Sequence, residues 1–394
     1  MNTYIIDGAR TAFGTFGGSL KDISEIDLGV IATTQAIKRS SIPVTDIDEI
    51  IFGNIIQTNK NSAYLARHIG LKSGLEEKSS ALTLNRLCGS GLQSIVSGAQ
   101  SIALGDANVI VAGGTENMSL SPHVLRSTRF GSPNKAPIVE DMLWETLTDN
   151  HVGCGMGMTA ENLATKYSIS REEQDQFSVD SQNKAIAARN SGRFAEEIVP
   201  VRLKGRKGDE IIFDRDEHIR EGTSVEGLAK LMPAFKKDGT VTPGNASGIN
   251  DGAAAVLLAS EEYIYEHNIK PLAKIVSWGI VGVDPSIMGI GPVPASKKAL
   301  EKAGLTLEDI DLFELNEAFA AQSLAVIKEL GLDASKVNVN GGAIALGHPV
   351  GSSGTRITYS LALELKKRGA KYGLASLCIG GGQGIAIIIE NTEA

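Results

Sequence analysis

Short apolar runs of strand length alternate along the chain with longer stretches of helical period. Thr3–Ile6, Glu49–Phe52 and Val109–Ala112 are rich in β-branched residues and end at turn residues, so they predict strands. Between them, Leu28–Arg39 and Gly91–Leu104 carry apolar side chains every three or four positions and predict helices. A further strand, Ala253–Ala259, follows a long interruption. The last third repeats this pattern. Lys274–Trp278 predicts a strand, Ala295–Ala303 a helix, Leu312–Glu314 a strand and Ala318–Glu329 a helix. Then come the short segment Val337–Asn340, the helix-length Gly354–Arg368, and closing strands at Gly373–Leu377 and Gly384–Glu390. Such alternation predicts a layered α/β fold.

The halves echo each other. Cys88-Gly-Ser-Gly opens one helix and His348-Pro-Val-Gly-Ser-Ser-Gly opens its counterpart, as in a duplicated unit. Residues 1–118, completed by 246–270, form the N-terminal half in this reading, and 271–394 the C-terminal half. In 119–245 prolines, glycines and charges crowd together, as in Ser132-Pro-Asn-Lys and Lys204-Gly-Arg-Lys-Gly-Asp. There the helix Arg171–Ser191 stands alone, and the segment reads as a loop-rich inserted domain that completes a site.

Charge narrows the function. A net charge of −8 argues against general nucleic-acid binding while leaving room for a local basic pocket. The longest apolar runs, Ala253–Ala259 and Ile385–Ile389, are far too short to span a bilayer. The opening residues read directly as a strand, without a basic and then apolar leader. Cys88, Cys154 and Cys378 are odd in number and widely spaced, which favours reduced thiols in the cytoplasm over a disulfide framework.

Four motifs carry candidate chemistry. Cys88 sits where an extended segment turns into a helix, and the N-terminal dipole end there favours thiolate over thiol. His348, between Gly347 and Pro349, is held in a constrained turn that suits a fixed base. Cys378 lies in Leu-Cys-Ile-Gly-Gly-Gly-Gln-Gly. A strand follows that run instead of a helix, so a dinucleotide-binding loop is rejected, and an acid/base thiol beside an exposed N–H fits better. Asn316, in Asn-Glu-Ala-Phe, follows a strand where ligands commonly bind, although as an isolated residue it reads better as a helix N-cap. Taken singly, each motif has an ordinary structural explanation.

Together with Asp7-Gly-Ala-Arg-Thr-Ala-Phe-Gly near the start, these motifs resemble the thiolase family over effectively the whole chain, in its order and at its spacing. The resemblance implies two α/β halves, each with a mixed five-stranded sheet in an α-β-α-β-α layering, plus the inserted loop domain. It implies an acetyl-CoA C-acetyltransferase joining two acetyl-CoA molecules reversibly into acetoacetyl-CoA. In that scheme Cys88 takes the acyl group, His348 activates it, and Cys378 moves the proton of the second acetyl-CoA. Asn316 serves one oxyanion hole through a water, and the N–H groups of Cys88 and Gly380 form the other. Coenzyme A, a substrate, would meet Arg220 and Ser247, with Phe235 and Met156 as apolar walls and Phe319 and Met288 lining the acyl pocket. No metal or redox cofactor, nucleic acid or membrane is implied, and the assembly expected is a homotetramer formed as a dimer of dimers.

Three positions depart from the short-chain pattern. Gly155 replaces a histidine, Gly227 replaces a serine of the coenzyme A site, and Cys154 is not demanded. His151 and Cys154 alone make a poor metal site. Three rivals follow: a longer-chain 3-ketoacyl-CoA thiolase, a ketoacyl-acyl-carrier-protein synthase, which would need no second thiol base, and a non-catalytic acyl-CoA-binding protein on the same fold.

Overall fold

The computed structural model describes residues 2–131, 135–205 and 207–393; residues 132–134 and 206, in the two loop motifs noted above, lie outside it. Nine strands form the main path of one sheet: β1 Thr3–Thr11, β2 Glu49–Gly53, β3 Ser80–Leu84, β4 Val109–Asn117, β5 Asn250–Ser260, β6 Ala273–Gly282, β7 Leu312–Leu315, β8 Tyr372–Ile379 and β9 Gln383–Asn391. Their order is β7-β8-β9-β6-β1-β5-β4-β2-β3. Seven helices matter below: α1 Glu25–Ser40, α2 Ser90–Leu104, α3 Met156–Tyr167, α4 Arg171–Asn190, α5 Pro292–Ala303, α6 Ala320–Leu330 and α7 Ser353–Arg368.

The duplication is visible in the ladders. On one side β3, β2 and β4 run parallel, then β4 meets β5 and β5 meets β1 antiparallel. On the other side β7 and β8 run parallel, then β8 meets β9 and β9 meets β6 antiparallel. Val337, at the start of the short segment noted in the sequence, makes an isolated parallel bridge to Phe313, so it stands where β3 stands in the first half. No ladder extends beyond it because Asn338 turns to a positive φ and bonds back to β7. The first strands of the halves, β1 and β6, pair antiparallel through Thr3–Ile5, which makes one sheet of the two.

Strands buried on both faces send alternate side chains into different layers. Ile51, Ile110 and Val256 face a central layer with Leu92, Ile95 and Val96 of α2 and Ile357, Leu361 and Leu365 of α7. Their neighbours Ile50, Val109, Val111 and Leu257 face α1 on the outside. Across the second half Leu374, Ala386 and Ile388 pack on Ala295, Ala299 and Leu300 of α5. The layering α-β-α-β-α follows.

The central helices nearly touch at their N-termini. A Cβ on Gly91 would lie 2.7 Å from Thr355 N, and one on Gly354 would lie 2.2 Å from Leu92 N. Only glycine permits this approach, and it brings the Cys88 and His348 turns together. In the 119–245 segment the lone helix of the sequence reading gains a partner. α3 escapes the sequence pattern because it starts Met-Gly-Met and has no side-chain cap, yet Leu163 and Ala160 are buried beneath it.

Candidate active site

Cys88 stands in a tight turn ahead of α2, which begins at Ser90. Leu87 takes φ 46, a left-handed conformation that costs a leucine about 1–2 kcal/mol. Side chains hold that turn: Asn85 Oδ1 accepts from Leu87 N (2.9 Å), while Ser90 Oγ accepts from Arg86 N (2.8 Å) and donates to Leu87 O (2.7 Å). The thiol meets the N–H of Gly380, in the loop between β8 and β9.

The expectation of a resting thiolate is corrected. Burial pushes the Cys88 thiol up to about 11, outweighing the N–H groups of Gly380 and Cys88 itself, which both favour the anion. The helix end is therefore a weaker influence than desolvation, and the resting group is a thiol that needs a base. The same two N–H groups converge on the sulfur, as a hole for an oxyanion formed beside it would require.

His348 can be that base. Burial, and then the Arg356 charge, draw its pKa down to about 3, so the imidazole is neutral. Its tautomer follows from the network around it. Ser353 Oγ donates to Pro349 O (3.0 Å), so it accepts from His348 Nδ1 (2.6 Å) and the ring proton sits on Nδ1. Nε2 is then a lone pair, and Asn316 Nδ2 donates to it at 3.3 Å. The backbone N–H of His348 donates to Asn250 Oδ1 (3.0 Å), and Gly347 at φ 100 lies so close to Asn250 that no side chain fits. Asn250 and Ser353 were missed in the sequence. The motif around His348 contains Ser353, but nothing in its spacing says which atom it would reach.

Asn316 is not a helix cap. α6 begins at Ala320 after Phe319, leaving Asn316 to face His348 with its buried Oδ1 unpartnered. Its neighbour Glu317 is turned away, accepting from Ser181 Oγ, Asn338 Nδ2 and Ile344 N.

Cys378 is the penultimate residue of β8 and is fully buried with Met288, Phe319, Ala318 and Met156 around it. Burial, then the nearby Cys88 charge, push its thiol far up. Gly380 follows two residues on; a Cβ there would lie 3.3 Å from Met156 Sδ. Cys88, Cys378, Gly380, Asn316, His348, Met156, Phe319 and Met288 therefore share one neighbourhood.

The expected coenzyme A residues lie outward of it. Phe235 meets Phe319 edge-on at 6.2 Å and covers Gly157. Ser247 is half-buried and donates its N–H to Ala318 O (3.0 Å), which strings it along the Asn316 loop. Arg220 is exposed, with its backbone N–H on Gln182 Oε1. Gly227 lies in a short helical turn capped by Ser224. Gly155 has open space: a Cβ would meet only Leu147 O, at 3.6 Å. His151 is exposed and Cys154 half-buried beside it, and among the described residues no group of three or more His, Cys, Asp or Glu could hold a metal ion.

This geometry has known counterparts. The thiolase N-terminal domain model matches residues 3–262 and the thiolase C-terminal domain model residues 269–391. A mitochondrial 3-ketoacyl-CoA thiolase of Mus musculus is 54% identical over 390 residues, covering 99% of this chain and 98% of its own. An acetyl-CoA acetyltransferase of Syntrophomonas wolfei is 54% identical over 391 residues, covering 98% of each. The crystal structure of human mitochondrial 3-ketoacyl-CoA thiolase superposes with a TM-score of 0.97 at 52% identity, over 99% of both chains. That of the Bacillus anthracis acetyl-CoA acetyltransferase gives 0.96 at 48% identity, over 99% of this chain and 98% of the other.

Proposed function

The chain belongs to the thiolase family of acyltransferases, and we propose that it is an acetyl-CoA acetyltransferase working through an acyl-Cys88 intermediate. The observation that carries this reading is the neutral, Nδ1-protonated His348 in one site with the half-buried Cys88 thiol and the buried Cys378 thiol. Its Nε2 lone pair takes the Cys88 proton as the sulfur attacks the thioester carbonyl. Charge gathers on the carbonyl oxygen, where the N–H groups of Cys88 and Gly380 receive it; one such donor is worth roughly 3 kcal/mol. The departing coenzyme A sulfur takes the Cys378 proton and leaves a thiolate in a dry site. That thiolate is a strong base because burial disfavours it. It removes a proton from the methyl carbon of a second acetyl-CoA, whose enolate oxygen is received by the Nε2–H of the now protonated His348 and by a water held on Asn316. The carbon attacks the acyl group, Cys88 leaves and recovers its proton from His348, and acetoacetyl-CoA is released. Thiolysis is the same path reversed.

A second reading, thiolysis of longer 3-ketoacyl-CoA substrates, is favoured by the open space at Gly155 and by the relatives named 3-ketoacyl-CoA thiolase. Turnover of acetoacetyl-, 3-ketohexanoyl- and 3-ketodecanoyl-CoA with coenzyme A separates the two. Activity on acetoacetyl-CoA alone supports the first, activity on the longer substrates the second. No turnover overturns both and favours an acyl-CoA-binding protein.

In this reading coenzyme A is a substrate and no metal or redox cofactor takes part. We also propose a cytoplasmic, homotetrameric enzyme. The three free cysteines suit a reducing compartment. Exposed Leu125, Ile138, Val139 and Trp144 in the inserted segment suit burial against another copy. Light scattering in solution tests the assembly. Among the described residues no helix is long and apolar enough to cross a membrane.

A further inference from the structure

Glu116, fully buried on β4, is a carboxyl the chemistry above does not use. Its four hydrogen-bond donors come from two separate segments. Oε1 accepts from Asn54 Nδ2 (3.1 Å) and Ile56 N (3.0 Å), while Oε2 accepts from Ile55 N (3.2 Å) and Gly351 N (3.1 Å). Ile55 and Ile56 pack with Cys88, and Val350 of the His348 turn joins the same cluster. The turn lies flush on β4: a Cβ at Gly114 would fall 1.9 Å from Gly351 O, and one at Gly351 would fall 2.5 Å from Thr115 O.

We propose that Glu116 is a positioning residue whose carboxylate clamps the 54–56 loop beside the nucleophile to the Pro349–Gly351 turn behind the base, fixing Cys88 against His348. The proposal rests on the reading of those two residues as nucleophile and base. A carboxylate is the group required, since only it presents acceptors at both ends of the fork. In Glu116→Gln the amide NH2 must face two N–H donors, and the clamp opens on one side. Burial, opposed by the N–H groups of Ile56, Ile55 and Gly351 and aided by the Glu25 charge, pushes Glu116 up to about 8, so the carboxylate clamp is complete above that pH. When ionised, it also opposes a Cys88 thiolate.

Assayed above pH 8, Glu116→Gln should lower kcat by roughly 10- to 100-fold, the scale of a misplacement of about 1 Å, with KM for coenzyme A little changed. Its neutral side chain should also move iodoacetamide alkylation of Cys88 to lower pH. An unchanged kcat, or a lower kcat with an unshifted alkylation profile, overturns the proposal. Alkylation needs no turnover, so it decides this point even where the activity assay fails. If circular dichroism finds Glu116→Gln unfolded, Asn54→Ala carries the test. It removes one of the four donors and should lower kcat at constant KM, and an unchanged kcat there overturns the proposal.

Discussion

Asn316 Nδ2 donates to His348 Nε2 across 3.3 Å, and this bond leaves the buried Asn316 Oδ1 with no protein partner. Buried polar atoms are rarely left alone, because an unmade hydrogen bond costs about 1–3 kcal/mol. The free oxygen therefore marks where a water or substrate donor belongs. Asn316→Ala should reduce kcat by about 10²–10³-fold with a much smaller change in KM, the pattern of a group that acts in the transition state. Steady-state kinetics with acetoacetyl-CoA checks this; a rise in KM alone would make Asn316 a binding residue.

Ser353 holds the proton of His348 on Nδ1 by accepting it at 2.6 Å. With alanine there, the ring is free to carry its proton on Nε2, where it can no longer act as base. Ser353→Ala should lower kcat by roughly 10- to 100-fold while leaving the fold intact. Wild-type alkylation at Cys88 should show no inflection near pH 6–7, because His348 stays neutral down to about pH 3. It should instead climb toward the raised thiol ionisation near 11.

Much of this was legible in the sequence, and the remainder was hidden for physical reasons. Strands β1, β4, β5 and β9 were found because residues buried on both faces are apolar almost continuously. The Cys88, His348 and Cys378 turns were found because glycines crowd where backbones approach closely. Helix α3 was missed because it starts Met-Gly-Met without a side-chain cap and buries small Ala160 and Ala164 alongside its one large apolar residue there, Leu163. The Cys88 ionisation was misjudged because a dipole is visible in a sequence and burial is not. Asn250 and Glu116 were invisible because their partners lie on segments far apart in the chain, and Ser353 because its spacing of five from His348 does not show which ring nitrogen it meets.

Glu197 is buried between Arg10, Arg193 and Ser360 and ties their segments together. Burial alone would raise its pKa, but Arg10 and Arg193 hold it down to about 2 from an ordinary 4.5. A depressed carboxyl contributes stability above its unfolded pKa and loses it as pH falls toward the folded value. Glu197→Gln leaves two buried guanidiniums short of charge and should cost about 3–5 kcal/mol near neutrality. Calorimetry should find the Tm difference from wild type greatest above pH 4.5 and shrinking toward pH 2. A difference independent of pH would contradict the ionised role.

Gly155 adopts an ordinary φ of −73 with open space at its Cβ position, so a larger residue fits without backbone strain. Gly155→His should leave the melting temperature close to wild type and lower kcat/KM for 3-ketodecanoyl-CoA more than for acetoacetyl-CoA. Parallel thiolysis assays decide it, and an equal loss on both substrates would remove Gly155 from the determinants of chain length.

The most direct test of the account is the mass of the intact protein after brief exposure to acetyl-CoA, followed by peptide mapping. One acetyl group is expected on Cys88 in the wild type and, formed more slowly because coenzyme A must leave without the Cys378 proton, in Cys378→Ala, which cannot complete condensation; none is expected in Cys88→Ala. Absence of an adduct from the wild type, or an adduct on another residue, would contradict it.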